Sequence, residues 1–383
     1  MRSLDAFAQD KLDELKRRHL YRALNETVRE DGIWIDRNGR QLLSFSCNDY
    51  LNLTQHPAIK QAAIAAVEEY GAGSGASRLV TGNHPLYAKL ESRLAQFKAT
   101  EAACVFGSGY LANTGIIPVL VGRDGLVLLD ELSHACIYAG AQLSRGTVVT
   151  FRHNDVLHVR ELLSARRGEH DHAIIVTDGV FSMDGDLAPL SELLALAEEH
   201  DAWLMSDDAH GLGVLGGGRG SSFVGNSHIP VHLQMGTLSK AVGSYGGYLC
   251  ASASVIDLMR NRARTLIYST GLPPACVAAA IAALDLIERD PDYAARPVRK
   301  AKAFTKRAGL PDAQSPIVPI VVGDEEAALA HSRMLEKEGF LAVAIRPPTV
   351  KPGTARLRLT FTAQHPDDQI DRLADIVRDK VLA

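Results

Sequence analysis

What this chain lacks narrows its class before anything it contains. Its five cysteines, Cys47, Cys104, Cys136, Cys250 and Cys276, are scattered and form no C-x-x-C pair. That spacing argues against a disulfide framework and a structural metal, and it predicts free thiols in a reducing compartment. Charge of one sign is missing too. Lys and Arg number 41 against 45 Asp and Glu, with no basic run, so neither nucleic acid nor an anionic membrane surface is an expected partner. No apolar window approaches the ~18–20 residues needed to cross a bilayer. Met1 to Lys11 carries Asp5 and Asp10 and no apolar core, which predicts neither a secretory signal nor a transit peptide. Internal repeats and low-complexity stretches are also missing. The expectation is a cytoplasmic protein without a metal.

What the chain does have is alternation. Its 383 residues suffice for one large domain and a smaller partner. Leu4, Phe7, Ala8, Leu12 and Leu15 recur at helical spacing and predict an amphipathic helix over residues 5–24. Residues 33–43 read as a hairpin turning at Asn38-Gly39. Short apolar runs predict strands at 103–106, 126–129, 148–151, 173–176, 203–206 and 231–235. Between and before them, helical patterns fit 59–70, 85–98, 110–120, 137–143, 156–165 and 187–200. This is the rhythm of an α/β protein with a mostly parallel sheet covered on both faces. Near residues 289–299 a Pro/Asp-rich stretch gives way to strands at 317–322 and 356–361 around a helix at 325–339. The expected domains are an N-terminal segment, 1–45, a large ligand-binding domain, 46–287, and a smaller α+β domain, 288–383.

The most informative chemistry centres on Lys240, in Gly236-Thr237-Leu238-Ser239-Lys240-Ala241-Val242-Gly243. Glycines let the backbone approach a ligand, hydroxyls hold phosphate oxygens, and the amine is suited to a Schiff base. Upstream, the strand ending at Ser206 runs into Asp207-Asp208-Ala209-His210-Gly211. A Schiff-base lysine with an acid able to pair with a pyridinium nitrogen is the pattern of pyridoxal phosphate enzymes. In open α/β sheets ligands gather at the carboxyl ends of strands, where Asp207, the Lys240 loop and Gly107-Ser108-Gly109 all fall.

One pattern points elsewhere. Gly211-Leu212-Gly213-Val214-Leu215-Gly216 satisfies G-x-G-x-x-G, the signature of an NAD-dependent oxidoreductase. That role requires the glycines to open a helix facing a pyrophosphate. Here they run into Gly217-Gly218-Arg219-Gly220, which argues against it.

Seven segments occur in order: Asn48-Asp49-Tyr50-Leu51, Gly73-Ser74-Gly75-Ala76-Ser77-Arg78, Ser133-His134-Ala135, His153-Asn154-Asp155, Phe181-Ser182-Met183-Asp184-Gly185-Asp186, Asp207-Asp208-Ala209-His210-Gly211 and Thr237-Leu238-Ser239-Lys240. Each alone is weak; together they resemble the α-oxoamine synthases, from about residue 20 to the C-terminus. These are fold type I pyridoxal phosphate transferases that condense an amino acid with an acyl thioester and release carbon dioxide. The resemblance implies a seven-stranded sheet and a homodimer. Arg346-Pro347-Pro348-Thr349-Val350 and the run Gly353 to Leu359 look most like the biotin-pathway branch, which joins L-alanine to a pimeloyl thioester. A sister activity, such as glycine C-acetyltransferase, is the nearest rival. Two positions depart from the pattern: Cys136 stands where serine is common, and Asn52 where glycine is frequent.

The resemblance also implies roles. Lys240 carries the cofactor and acts as the base at Cα. Asp207 faces the ring nitrogen, His134 stacks over the ring and also touches substrate, His210 donates to the phenolic oxygen, and Ser182 contacts that oxygen or orients His210. Gly109, Tyr110, Thr237 and Ser239 form the phosphate cradle, and Thr270 reaches the partner subunit's phosphate. Arg358 is the candidate for the amino-acid carboxylate, and Arg356, two residues earlier on the same strand, shares its face. Arg22 and Thr349 match acyl-substrate positions. Asp208 is read as structural.

Overall fold

The computed structural model describes residues 3–18, 20–30, 32–37, 39–225 and 227–383; Asn38 of the predicted turn lies outside them. The chain forms two compact units, each discontinuous in sequence. One joins residues 1–46 to 320–359, and the other joins 47–319 to 360–383.

The larger unit is built on a seven-stranded sheet. Its order is Ala102–Phe106, Gly247–Ala251, Leu233–Thr237, Trp203–Asp207, His172–Asp178, Gly125–Asp130, Thr147–Phe151. Gly247–Ala251 runs antiparallel to both neighbours, and the other pairings are parallel. Successive side chains point to opposite faces, and both faces of the central strands are buried. Val127 and Leu129 pack with Ile116, Ile117 and Ile137 from helices Gly109–Leu120 and Ala135–Ser144. Leu126 and Leu128 pack on the other face with Val159, Leu163, Leu193 and Leu196 from helices Val156–Arg166 and Leu190–Glu199. This two-sided cover is what the alternation predicts.

Three features differ from the sequence expectation. Gly247–Ala251 was not among the expected strands: all five residues are buried, with no polar alternation to mark them. Residues 291–308 form an 18-residue helix, where the Pro/Asp-rich stretch is not among the expected helices. Asp290 caps it, accepting from Tyr293 N at 2.8 Å, and Pro291 fills the first turn, where its missing N–H costs nothing. That helix packs on the C-terminal helix Asp367–Lys380, so both belong to the sheet unit. The N-terminal helix, Leu4–Arg17, ends seven residues short of the predicted 24 and buries none of its side chains.

In the smaller unit, Trp34–Arg37 and Arg40–Ser44 form the predicted antiparallel pair, flanked by Val28–Glu30 and Phe340–Leu341. A second sheet orders Ile317–Gly323, Ala355–Thr360 and Val343–Ile345. No helix among the described residues is long and apolar enough to cross a membrane.

Candidate active site

Two adjacent parallel strands deliver the central residues. Trp203–Asp207 and Leu233–Thr237 are in register with Asp207 opposite Met235, and Asp208 N donates to Met235 O at 2.8 Å. The loops that follow therefore leave the sheet side by side. They bring Lys240 Nζ to 2.8 Å from His210 Nε2. The other ring nitrogen, His210 Nδ1, lies 2.6 Å from the buried Tyr50 hydroxyl. The sequence offered Tyr50 only as part of a motif; a tyrosine among Asn48 and Asp49 was the available signal. Asn52, just beyond, sits at φ 55° in the left-handed region. That conformation explains why glycine suits the position and why asparagine, tolerant of the same region, replaces it.

Asp207 is 4% exposed and firmly held. Its Oδ1 accepts from Ala209 N at 3.0 Å, and its Oδ2 from Asn113 Nδ2 at 2.7 Å. The same amide nitrogen lies 3.1 Å from Cys136 Sγ, which is 2.8 Å from His134 Nδ1. Desolvation lowers the basicity of His134; Asp207 opposes that and Lys240 adds to it. His134, Asp207 and Lys240 thus share one electrostatic environment. Burial, and then the charge of Asp207, pushes the Cys136 thiol up to about 12. It is a neutral thiol here, filling the serine position as a small packed group.

The helix Gly109–Leu120 begins beside this cluster. Ser108 caps it by accepting from Leu111 N at 3.2 Å. A Cβ at Gly109 would stand 3.4 Å from Thr237 Cβ, so the helix N-terminus lies directly against the Thr237 loop. Thr237 Oγ1 and Ser239 Oγ are 2.8 Å apart. Helix N–H groups and two hydroxyls on one side, and an amine, an imidazole and a buried carboxylate on the other, form a donor set that fits pyridoxal phosphate at both ends.

Asp208 turns the other way. It pairs with Lys98 at 2.9 Å, both side chains being buried, and accepts from Ser221 N at 3.0 Å. A Cβ at Gly211 or Gly220 would collide with its carboxylate, which accounts for glycines in this stretch. Residues 211–218 form turns and one short 3₁₀ segment, Gly216–Gly218; no α-helix opens there to receive a dinucleotide.

The remaining predicted residues lie on other elements of their own units. Ser182 sits in a turn closed by Phe181 N donating to Asp186 O at 3.0 Å. Tyr110 is 55% exposed. Thr270 is exposed and forms a bridge with Ser77. In the smaller unit, Arg22 donates to Thr349 Oγ1 at 3.3 Å. There Arg356 and Arg358 are both buried, opposite Ile345 and Val343. Arg356 Nε donates to Thr354 O at 3.0 Å.

The aminotransferase class I and II family model matches residues 40–377. An 8-amino-7-oxononanoate synthase from Methylocella silvestris is 66% identical over 90% of this chain and 98% of its own length. One from Beijerinckia indica subsp. indica is 62% identical over 98% of both chains. Among solved structures, serine palmitoyltransferase from S. paucimobilis with a bound PLP–myriocin aldimine superposes with a TM-score of 0.91, at 29% identity over 98% of each chain. The chain therefore belongs to the aminotransferase class I and II family, pyridoxal phosphate enzymes of fold type I, and within it to the 8-amino-7-oxononanoate synthases.

Proposed function

We propose that the protein condenses L-alanine with a pimeloyl thioester to give 8-amino-7-oxononanoate, releasing the thiol carrier and carbon dioxide, in biotin biosynthesis. A carbon–carbon bond forms between the alanine Cα and the acyl carbon. The carbon–sulfur bond breaks, and the alanine carboxylate leaves as carbon dioxide. Bound pyridoxal phosphate supplies an aldehyde for the amino group and a ring that withdraws electrons from Cα.

The chain's own residues do the rest. Lys240 binds the aldehyde in the resting protein and moves the proton at Cα. Asp207 holds a proton on the ring nitrogen through a charge-assisted hydrogen bond. His210 donates to the phenolic oxygen, with Ser182 beside it, and His134 covers one ring face. The N–H groups at Gly109 and Tyr110, with Thr237 and Ser239, hold the phosphate. Arg358 grips the alanine carboxylate, which sets the Cα bond to be broken; Arg22 and Thr349 meet the acyl chain. The protein acts as a cytoplasmic homodimer, with Thr270 completing the phosphate site of its partner.

The observation that carries this assignment is the junction of Lys240, His210 and Asp207 at the ends of two neighbouring parallel strands. An absorbance titration tests it. The purified holoenzyme should show a band near the visible edge that shifts on adding L-alanine. A colourless protein that binds NAD would overturn the reading.

A further inference from the structure

Asp207 has a carboxylate neighbour that the reaction does not use. Asp178 and Asp207 end adjacent parallel strands as directly paired residues, and they are 3% and 4% exposed. Two carboxylates this close, away from water, strongly disfavour a second charge. Their hydrogen bonds differ. Asp178 Oδ2 accepts from the backbone N of His134 at 2.9 Å. Asp207 accepts from Ala209 N and, at 2.7 Å, from the Asn113 side chain.

Asn113 is fully buried, one helical turn beyond Gly109 on the helix Gly109–Leu120. Its Oδ1 is buried without a hydrogen-bond partner, while its Nδ2 serves Asp207. A buried asparagine with an unsatisfied acceptor costs stability, and a leucine of similar size would avoid that cost. What leucine lacks is the donor. An aspartate in its place would add a third negative charge to the cluster.

We propose that Asn113 is a positioning residue: it gives Asp207, and not Asp178, a side-chain donor, and aims that carboxylate at the pyridine nitrogen. This rests on the role given to Asp207 above. The amide adds a second donor to Asp207 beside Ala209 N, whereas Asp178 takes the His134 N–H. Burial and then the charge of Asp207 raise Asp178 well above the ordinary carboxylate range, in keeping with a neutral Asp178. His134, Lys240, Cys136 and Asp130 are the other groups acting on the pair. One turn of helix, about 6 Å of rise over four residues, thus connects the phosphate-holding N-terminus to the residue that orients Asp207.

The test reconstitutes the apoenzyme with pyridoxal phosphate labelled with ¹⁵N at the ring nitrogen and reads that signal by NMR. In Asn113→Ala the signal should move toward that of neutral pyridine. The same variant should lose about 10- to 100-fold in kcat, with KM for the acyl thioester within about twofold of the parent. In Asp178→Asn, which retains an acceptor for His134 N, the signal should stay in place. An unmoved signal in folded Asn113→Ala overturns the proposal, and so does a moved signal in Asp178→Asn. If Asn113→Ala does not fold, Asn113→Leu, which fills the same space without the donor, takes its place and should move the signal in the same way. Asp207→Asn separates the two levels. If its signal also stays put, the role of Asp207 itself falls; if it moves while Asn113→Ala does not, only the part given to Asn113 falls.

Discussion

The Tyr50 hydroxyl lies 2.6 Å from His210 Nδ1, and Lys240 Nζ lies 2.8 Å from Nε2 of the same ring. Donation by the phenol to Nδ1 would keep the ring proton on Nε2, the nitrogen beside Lys240. Tyr50→Phe should release that tautomer and lower kcat about tenfold, the scale of one buried hydrogen bond. Steady-state kinetics across pH measures it. A Tyr50→Phe enzyme with the parent's rate and pH profile would show that the contact is only packing.

Lys240→Ala should abolish turnover while leaving non-covalent cofactor binding through the Gly109 and Thr237 side of the site. Borohydride reduction followed by mass spectrometry of the intact protein checks the covalent link. Cofactor still fixed to the variant would mean that another lysine is the carrier.

His153 predicts a pH dependence of stability. Its ring lies 3.0 Å from Asp130 and 2.7 Å from Asp186. Burial lowers its basicity, but hydrogen bonds and charge from the two carboxylates raise it from 6.5 to about 10. A folded value above the unfolded one stabilises the fold fully below about pH 6.5, and that stabilisation is lost as pH rises through about 10. The Tm gap between the parent and His153→Gln should therefore be wide near pH 6.5 and narrow above pH 10. A gap that stays constant would contradict a charged His153.

Arg358→Ala should raise the apparent alanine constant far more than that of the acyl thioester, by about 10- to 10³-fold for a lost bidentate contact. Arg356→Ala should have the smaller effect on alanine. Titrating the cofactor's absorbance with alanine reads both. The reverse order would assign the carboxylate to Arg356.

The residues of this candidate site stand out along the chain because they sit at the ends of apolar strands, where motif and topology coincide. Lys240, Asp207 and His210 were legible for that reason, and so was the failure of the Gly211–Gly216 pattern, since glycines that run on cannot open a helix. Asn113 was not. It lies within the apolar helix Gly109–Leu120, where nothing local separates a positioning amide from a tolerated polar residue; only the packing of that helix against Asp207 reveals it. The antiparallel strand Gly247–Ala251 escaped for a related reason. Buried on both sides, it has no periodicity to read, and one of its two neighbours, Ala102–Phe106, is remote in sequence. The Pro291 helix was obscured because its aspartates and prolines mark a helix start as readily as a break between segments.

The central claim is a decarboxylative condensation with one particular pair of substrates. Incubating the holoenzyme with L-alanine and pimeloyl-CoA, and following free thiol and product mass together, tests it most directly. The prediction is one coenzyme A released for each 8-amino-7-oxononanoate formed, and no comparable release from glycine with acetyl-CoA. Thiol release and product from glycine and acetyl-CoA, with none from alanine and pimeloyl-CoA, would contradict it.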